Sequence, residues 1–218
     1  VITFFRDDFE TEYVGMLVDG EGIAKRYFGN PDGDSLSIGP GVKKVDEDVW
    51  HGNILKGIKT LTIIGVEEIG KDTFNVRYGF DNLTNIIIDL ASLKKVESSA
   101  FNLRENPTFV ATTSGENYRI EDGSFYSISD NKINGILYMN PGSIKSEMDL
   151  SEWALEDIGR IFEGNKTIKK LTLPSTLRFI SESAFYNCSN LSEIIFPTGN
   201  EIFKIGDNAF YRCTALKT

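Results

Sequence analysis

The sequence predicts an α/β solenoid, a stack of coils with a parallel β-sheet along one side and short helical or 3-10 turns along the other, mostly β and loop. Three observations predict it. Residues 171–191 recur almost at once as residues 194–216 with their apolar positions in the same order, and tandem copies of a short unit mean a repeat protein. An Ile or Val stands five residues before an aromatic at Ile23/Phe28, Val45/Trp50, Ile69/Phe74, Val96/Phe101, Ile120/Phe125, Ile180/Phe185 and Ile205/Phe210; Phe162, with Ile158 four residues before it, makes the eighth. Successive aromatics are 22, 24, 27, 24, 37, 23 and 25 residues apart, a period in the low twenties with insertions. Finally, most aromatics are followed by an apolar triplet, as in Ile58/Leu61/Ile63, Leu83/Ile86/Ile88, Ile133/Ile136/Tyr138, Ile168/Leu171/Leu173 and Leu191/Ile194/Phe196. The last two members of each triplet alternate with a residue outside the core, as in a strand buried on one face.

Taken in order, residues 1–17 lie outside the pattern. Their apolar residues (Val1, Ile2, Phe4, Phe5, Phe9, Tyr13, Val14) read as strands that cap the first coil, since the end of a solenoid needs cover. Residues 18–218 then read as about seven to eight coils. No single coil buries enough apolar surface to offset the entropy of ordering it, so each must stack on its neighbours, aromatic on aromatic and strand on strand. Residues 102–157 are the least regular and read as a hairpin-like insertion. Turns are expected at Glu121-Asp122-Gly123 and at Asn134-Gly135, and whether Phe125 belongs to the aromatic column is open. A strand at 148–153 is expected to lead into the Phe162 coil. Pro174 and Pro197 follow their triplets and mark where strands stop. Leu216-Lys217-Thr218 begins a new triplet, so the C-terminal coil is expected to be uncapped and open to end-to-end association.

Composition narrows the function. Apolar content of 40% and charged content of 25% suit a folded protein. No apolar run is long enough to span a membrane. A net charge of −9 argues against nucleic-acid or anionic-membrane surfaces, and the Lys pairs stand among acidic residues. The chain opens Val1-Ile2-Thr3 without a leader and is read as a mature form or an excised piece. Cys188 and Cys213 share one column of the repeat. They read as buried free thiols filling space, although stacked columns would also bring them within disulfide reach.

No catalytic, metal or cofactor site emerges. The single histidine, His51, reads as a loop residue beside Trp50 and has no partners for a triad or a zinc site. Residues 30–34 and 130–135 imitate calcium loops, yet Ser35 replaces the glycine of the first and Lys132 occupies a ligand position of the second. Both read as turns. Paired carboxylates such as Asp7-Asp8 and Glu67-Glu68 lack the opposed cleft of a glycosidase. No enzymatic activity and no cofactor are expected.

The repeat units resemble the BspA-type leucine-rich repeats of bacterial surface proteins. The residues that carry the likeness are Leu171/Leu173/Pro174, Leu177/Ile180, Ala184/Phe185/Cys188 and Leu191, and in the next copy Ile194/Phe196/Pro197, Ile205, Ala209/Phe210/Cys213 and Leu216. The likeness implies a leucine-rich-repeat stack and a non-enzymatic module at the bacterial outer surface that binds a protein or glycan partner. The outward residue of each triplet, at Thr62, Ile87, Leu137, Thr172 and Ile195, is the candidate contact strip; three of the five are apolar, which either marks contact or reflects strand preference. Two other readings stand beside it: a structural spacer or stalk within a longer surface protein, and a carbohydrate-binding surface using Tyr118, Tyr126, Tyr138 and Trp153.

Overall fold

The computed structural model describes residues 15–28, 33–50, 55, 57–97, 99–103, 106–199 and 202–217. In chain order the strands are β1 (Gly15–Val18), β2 (Ala24–Phe28), β3 (Ser35–Ile38), β4 (Lys44–Val45), β5 (Thr60–Ile63), β6 (Glu68–Ile69), β7 (Phe74–Asn75), β8 (Asn85–Ile88), β9 (Lys95–Val96), β10 (Phe101–Asn102), β11 (Thr108–Ala111), β12 (Tyr118–Glu121), β13 (Ser124–Ser129) and β14 (Lys132–Tyr138). They continue as β15 (Glu147–Asp149), β16 (Lys170–Thr172), β17 (Phe179–Ile180), β18 (Glu193–Ile195) and β19 (Lys204–Ile205). Helix among the described residues is confined to 3-10 turns, at Glu47–Trp50, Val76–Tyr78, Phe80–Asn82 and Pro141–Ser143. The fold is a parallel β-solenoid. Its coils gather into two compact units, Val1–Phe125 and Tyr126–Thr218, and the chain passes from one to the other within β13.

In the first unit, alternation sets the main ladder. Leu36, Leu61, Ile86 and Phe109 occupy one inward row of the parallel sheet β11-β8-β5-β3, and Ile38, Ile63 and Ile88 a second. After β3, β5 and β8 the chain turns a corner into a two-residue strand of the sheet β4-β6-β9, where Val45 and Ile69 point inward and Lys44, Glu68 and Lys95 stand in register outside. The aromatics then close each coil. Trp50 meets Phe74 at 6.2 Å between ring centroids, Phe74 stacks on Phe101 at 5.2 Å, and Phe101 meets Phe125 at 6.0 Å. Phe80 adds a second aromatic to its coil, edge-on to Trp50 and to Phe74.

The second unit repeats the scheme more regularly. Met148, Leu171 and Ile194 form the inward row of the parallel sheet β15-β16-β18. The rings of Phe162, Phe185 and Phe210 lie in file, 5.5 and 5.2 Å apart and within 11° and 6° of parallel. Both cysteines are free thiols. Cys188 donates to the carbonyl of Phe162 at 2.8 Å and Cys213 to that of Phe185 at 3.0 Å, so each thiol fastens its coil to the core aromatic of the coil before. Burial pushes the Cys188 thiol up to about 11, which leaves almost no thiolate at neutral pH.

Several sequence expectations are corrected. In the first coil Tyr27 packs 5.6 Å from Trp50, and the side chain of Phe28, to which the five-residue spacing points, lies outside what the structure describes. Residues 24–28 run as an extended strand, whereas the corresponding residues after Val45 wind into a 3-10 turn; an extended strand covers the same distance in fewer residues. The triplet Ile133/Ile136/Tyr138 belongs to β14, outside the parallel ladder. Asn134-Gly135 is likewise inside β14, and the turn falls at Asp130-Asn131, both with positive φ as a type I′ hairpin requires. A Cβ at Gly135 would lie 2.4 Å from Ser127 Oγ, so the Ser127 hydroxyl would have to turn away. The turn at Asp122-Gly123 is where the sequence places it. Thr108–Ala111, placed within the hairpin-like insertion of 102–157, is the fourth strand of the first ladder, and Phe125 is fully buried in the aromatic file. Of the expected N-terminal cap, residues 1–14 lie outside the described residues, as does His51; Gly15–Val18 pairs antiparallel with β2.

Three substitutions test this packing. Phe185→Ala, at a fully buried ring, is expected to cost about 3–5 kcal/mol, whereas Phe203→Ala, at a ring 73% exposed, should stay within about 0.5 kcal/mol. Gly79 has φ +92 and a Cβ there would lie 2.1 Å from the Leu55 carbonyl oxygen, so Gly79→Ala should cost at least about 1–3 kcal/mol of backbone strain. Urea unfolding of the three variants measures all of these.

Candidate functional site

The outward face of the first ladder is the largest regular surface that the coils build. Pairing in register sets Ser37, Thr62, Ile87 and Val110 in one row and Ser35, Thr60, Asn85 and Thr108 in another. None of these eight residues is charged. That is notable because residues 1–125 carry 21 acidic against 13 basic side chains, −8 of the chain's −9. The charges lie elsewhere: Lys59 pairs with Asp34 at the start of the ladder, and Lys44 with Glu68, Lys94 with Glu67, and Lys95 with Glu97 along the β4-β6-β9 side. Val110 and Ile64 are exposed large apolar residues.

Asp89 fixes the rim of this face. It follows β8, and its carboxylate accepts from the hydroxyls of Thr113 and Ser92 and from the backbone N–H groups of Ala91 and Gly65. One side chain thus joins the loops after β5, β8 and β11. The Thr113 hydroxyl, ahead of the other donors, holds this carboxyl below its ordinary value of 3.8.

On the β4-β6-β9 side an open depression of about 410 Å³ lies over Gly70 between Asp46, Glu47, Lys71 and Glu97. Its carboxylates are already engaged. Glu47 takes the Arg77 guanidinium and Tyr78 hydroxyl, Glu97 takes Lys95, and Asp46 takes the Asp48 N–H. Among the described residues no three His, Cys, Asp or Glu side chains converge as a metal ion requires.

The residues singled out from the sequence are distributed unevenly. Thr62 and Ile87 are register neighbours on the uncharged face, and Thr172 and Ile195 are neighbours in the second unit. The second sheet is of different character: its outward rows are Glu147, Lys170, Glu193 and Asp149, Thr172, Ile195, with Lys170 and Glu193 ion-paired at 3.2 Å. Leu137 lies in β14, outside either ladder. The four aromatics expected to be exposed are not. Tyr118 is buried against Phe125, and its hydroxyl accepts from the Val96 N–H at 2.7 Å. Tyr126 is buried edge-on to the half-buried Trp153, its hydroxyl 3.6 Å from Met139 Sδ. Burial pushes the half-buried Tyr138 hydroxyl up to about 12. Reading single coils missed Ser35, Ser37, Thr60, Asn85, Thr108 and Val110. Aligning the triplet columns shows Thr60 and Asn85 only, since 33–38 and 108–111 lack the full triplet.

A family model for the BspA type leucine rich repeat region matches in six copies, over residues 21–140 and 131–218. The chain belongs to the BspA-type leucine-rich-repeat family. Among solved structures it is similar to the pneumococcal vaccine antigen PcpA, with a TM-score of 0.50 and 18% identity over 92% of this chain and 64% of that one. It is also similar to a leucine rich cell surface protein from Faecalibacterium prausnitzii A2-165, with a TM-score of 0.41 and 15% identity over 96% of this chain and 82% of that one. No curated protein matches the sequence. The motif residues Ala184, Phe185 and Cys188 of one BspA-type coil are all fully buried.

The Asp89 tether predicts a pH dependence. Its folded pKa is depressed, so its contribution is present above the unfolded value and lost as pH falls through the folded one. Asp89→Asn should lower the urea midpoint at pH 7 by an amount worth under about 1 kcal/mol. The gap to the unsubstituted chain should close as pH falls through the depressed folded pKa of Asp89.

Proposed function

We propose that this chain is a non-enzymatic interaction module of a cell-surface or secreted protein, and that its contact surface is the uncharged face of the first ladder, centred on Thr62 and Ile87. The observation that carries this reading is the absence of charge from eight adjoining outward positions in a unit of net charge −8. A face meant only for solvation has no reason to be spared, and the second ladder is not spared. An uncharged face loses little on desolvation, whereas a contact that buried unpaired carboxylates would be penalised heavily. Family membership supports the surface location and the interaction role. Small hydroxyl and β-branched side chains on a short-strand ladder make a flat platform suited to a protein or glycan surface, and supply no nucleophile, base or metal ligand set.

The test is a pair of charge insertions, Thr62→Lys and Ile87→Lys, with Thr172→Lys as the control on the other ladder. Each variant is screened against arrayed extracellular-matrix proteins and glycans beside the unsubstituted chain. The expected result is at least one partner whose affinity falls about tenfold or more, some 1.4 kcal/mol, in the first two variants and not in the control. Partners that bind all four chains alike would remove the reading.

A further inference from the structure

The second unit carries an exposed ladder that the core does not use. The residue after each core phenylalanine is Tyr186 in one coil and Tyr211 in the next, and their rings stack at 5.5 Å and 22°. The Arg212 guanidinium lies 5.4 Å over the Tyr211 ring. Tyr211 is thus flanked by the Tyr186 ring and the Arg212 guanidinium, and 51% of it stays exposed. Lys166 stands beside the pair, its Nζ donating to the carbonyl of Asn187, the residue after Tyr186. Among the described residues no carboxylate forms an ion pair with Lys166 or Arg212.

Arg212 is held where arginine is uncommon. Its φ is +61, and Asn187, one coil earlier, has φ +60. Asparagine tolerates this left-handed region and arginine does not. The backbone strain at Arg212 is the cost of setting a guanidinium on the tyrosine.

All the groups turned outward here are of one electrostatic kind. Aromatic edges are the positive part of the ring quadrupole, two phenolic hydroxyls can donate, and two cations lack carboxylate partners. We propose that Tyr186, Tyr211, Arg212 and Lys166 form a binding site for an acidic glycan, a chain of hydroxyl-rich sugars bearing carboxylate or sulfate. The sugar hydroxyls exchange hydrogen bonds with the two phenols, and the anionic group takes charge-assisted hydrogen bonds from Arg212 and Lys166. The one-coil repeat of the tyrosines suits a polymer running along the stack. Single-stranded nucleic acid is the poorer occupant, because it needs free ring faces for its bases and a broad basic groove, whereas these rings are stacked on each other beside two cations. This site is independent of the uncharged face in the first unit.

The test measures binding of the full chain to hyaluronate oligosaccharides and to heparin, with neutral dextran and oligo-dT as comparison ligands. Arg212→Asn is the decisive variant, since it removes the cation and places a residue that accepts the same φ, so the chain should unfold at an unchanged or higher temperature. Binding to at least one acidic glycan is expected, weaker by about tenfold in Arg212→Asn and weaker also in Lys166→Gln. Tyr211→Phe, which keeps the stack and loses the hydroxyl, should weaken it too. No binding to either acidic glycan, equal binding to dextran or oligo-dT, or binding that Arg212→Asn leaves intact would overturn the proposal.

Discussion

No coil of this protein contains its own core. The side chains that bury Phe185 come mainly from the coils before and after it, and the hydrogen bonds that hold its turn run outward as well: the Phe185 N–H donates to the Ala209 carbonyl, and Cys213 donates to the Phe185 carbonyl. The same holds for the ladders, whose parallel strands have no partner within their own coil. This dependence of each coil on its neighbours is the constraint from which the rest follows. It requires identical chemistry at inward positions and leaves outward positions free to differ.

That freedom is visible in the contrast between the two ladders. Both are parallel, both have an apolar inward row, and both belong to the same repeat family. Yet one shows the solvent Ser, Thr, Asn, Ile and Val, and the other shows Glu, Lys and Asp with an ion pair across it. Exposed ion pairs contribute little to stability, so folding does not explain the difference. On the proposed function, it reflects what each face meets. The Tyr186–Tyr211 ladder belongs to the same logic, since the core needs only Phe185 and Phe210 and the next residue is spare.

The inward design was legible in the sequence because burial at a fixed period leaves a repeating signature. Trp50, Phe74, Phe101, Phe162, Phe185 and Phe210 are found in file within their units, and Asp122-Gly123 makes the turn that its residues dictate. The failures have physical causes. Residue counts measure length only if the local conformation is constant, and β2 is extended where its counterparts coil, which brings Tyr27 onto Trp50 one residue before the expected spacing. Ile133/Ile136/Tyr138 satisfies the triplet pattern, but alternation suits a hairpin strand as well as a ladder strand, and sequence does not say which neighbour a strand pairs with. Thr108–Ala111 was missed because Phe109 alone points inward. The candidate surfaces were only partly legible: Thr62 and Ile87 were found, but the absence of charge around them is a property of four strands in register and becomes visible only once the register is known.

The central claim is that coils within a unit share one stability. Native-state hydrogen exchange on the second unit tests it most directly, through amides bonded between coils: Leu173 to Ile195, Phe185 to Ala209, Asn187 to Tyr211 and Gly206 to Ile180. The account predicts that these amides exchange through one common opening, with the same free energy and the same dependence on denaturant. Separate opening free energies for each coil, differing by several kcal/mol and without a shared denaturant response, would contradict it.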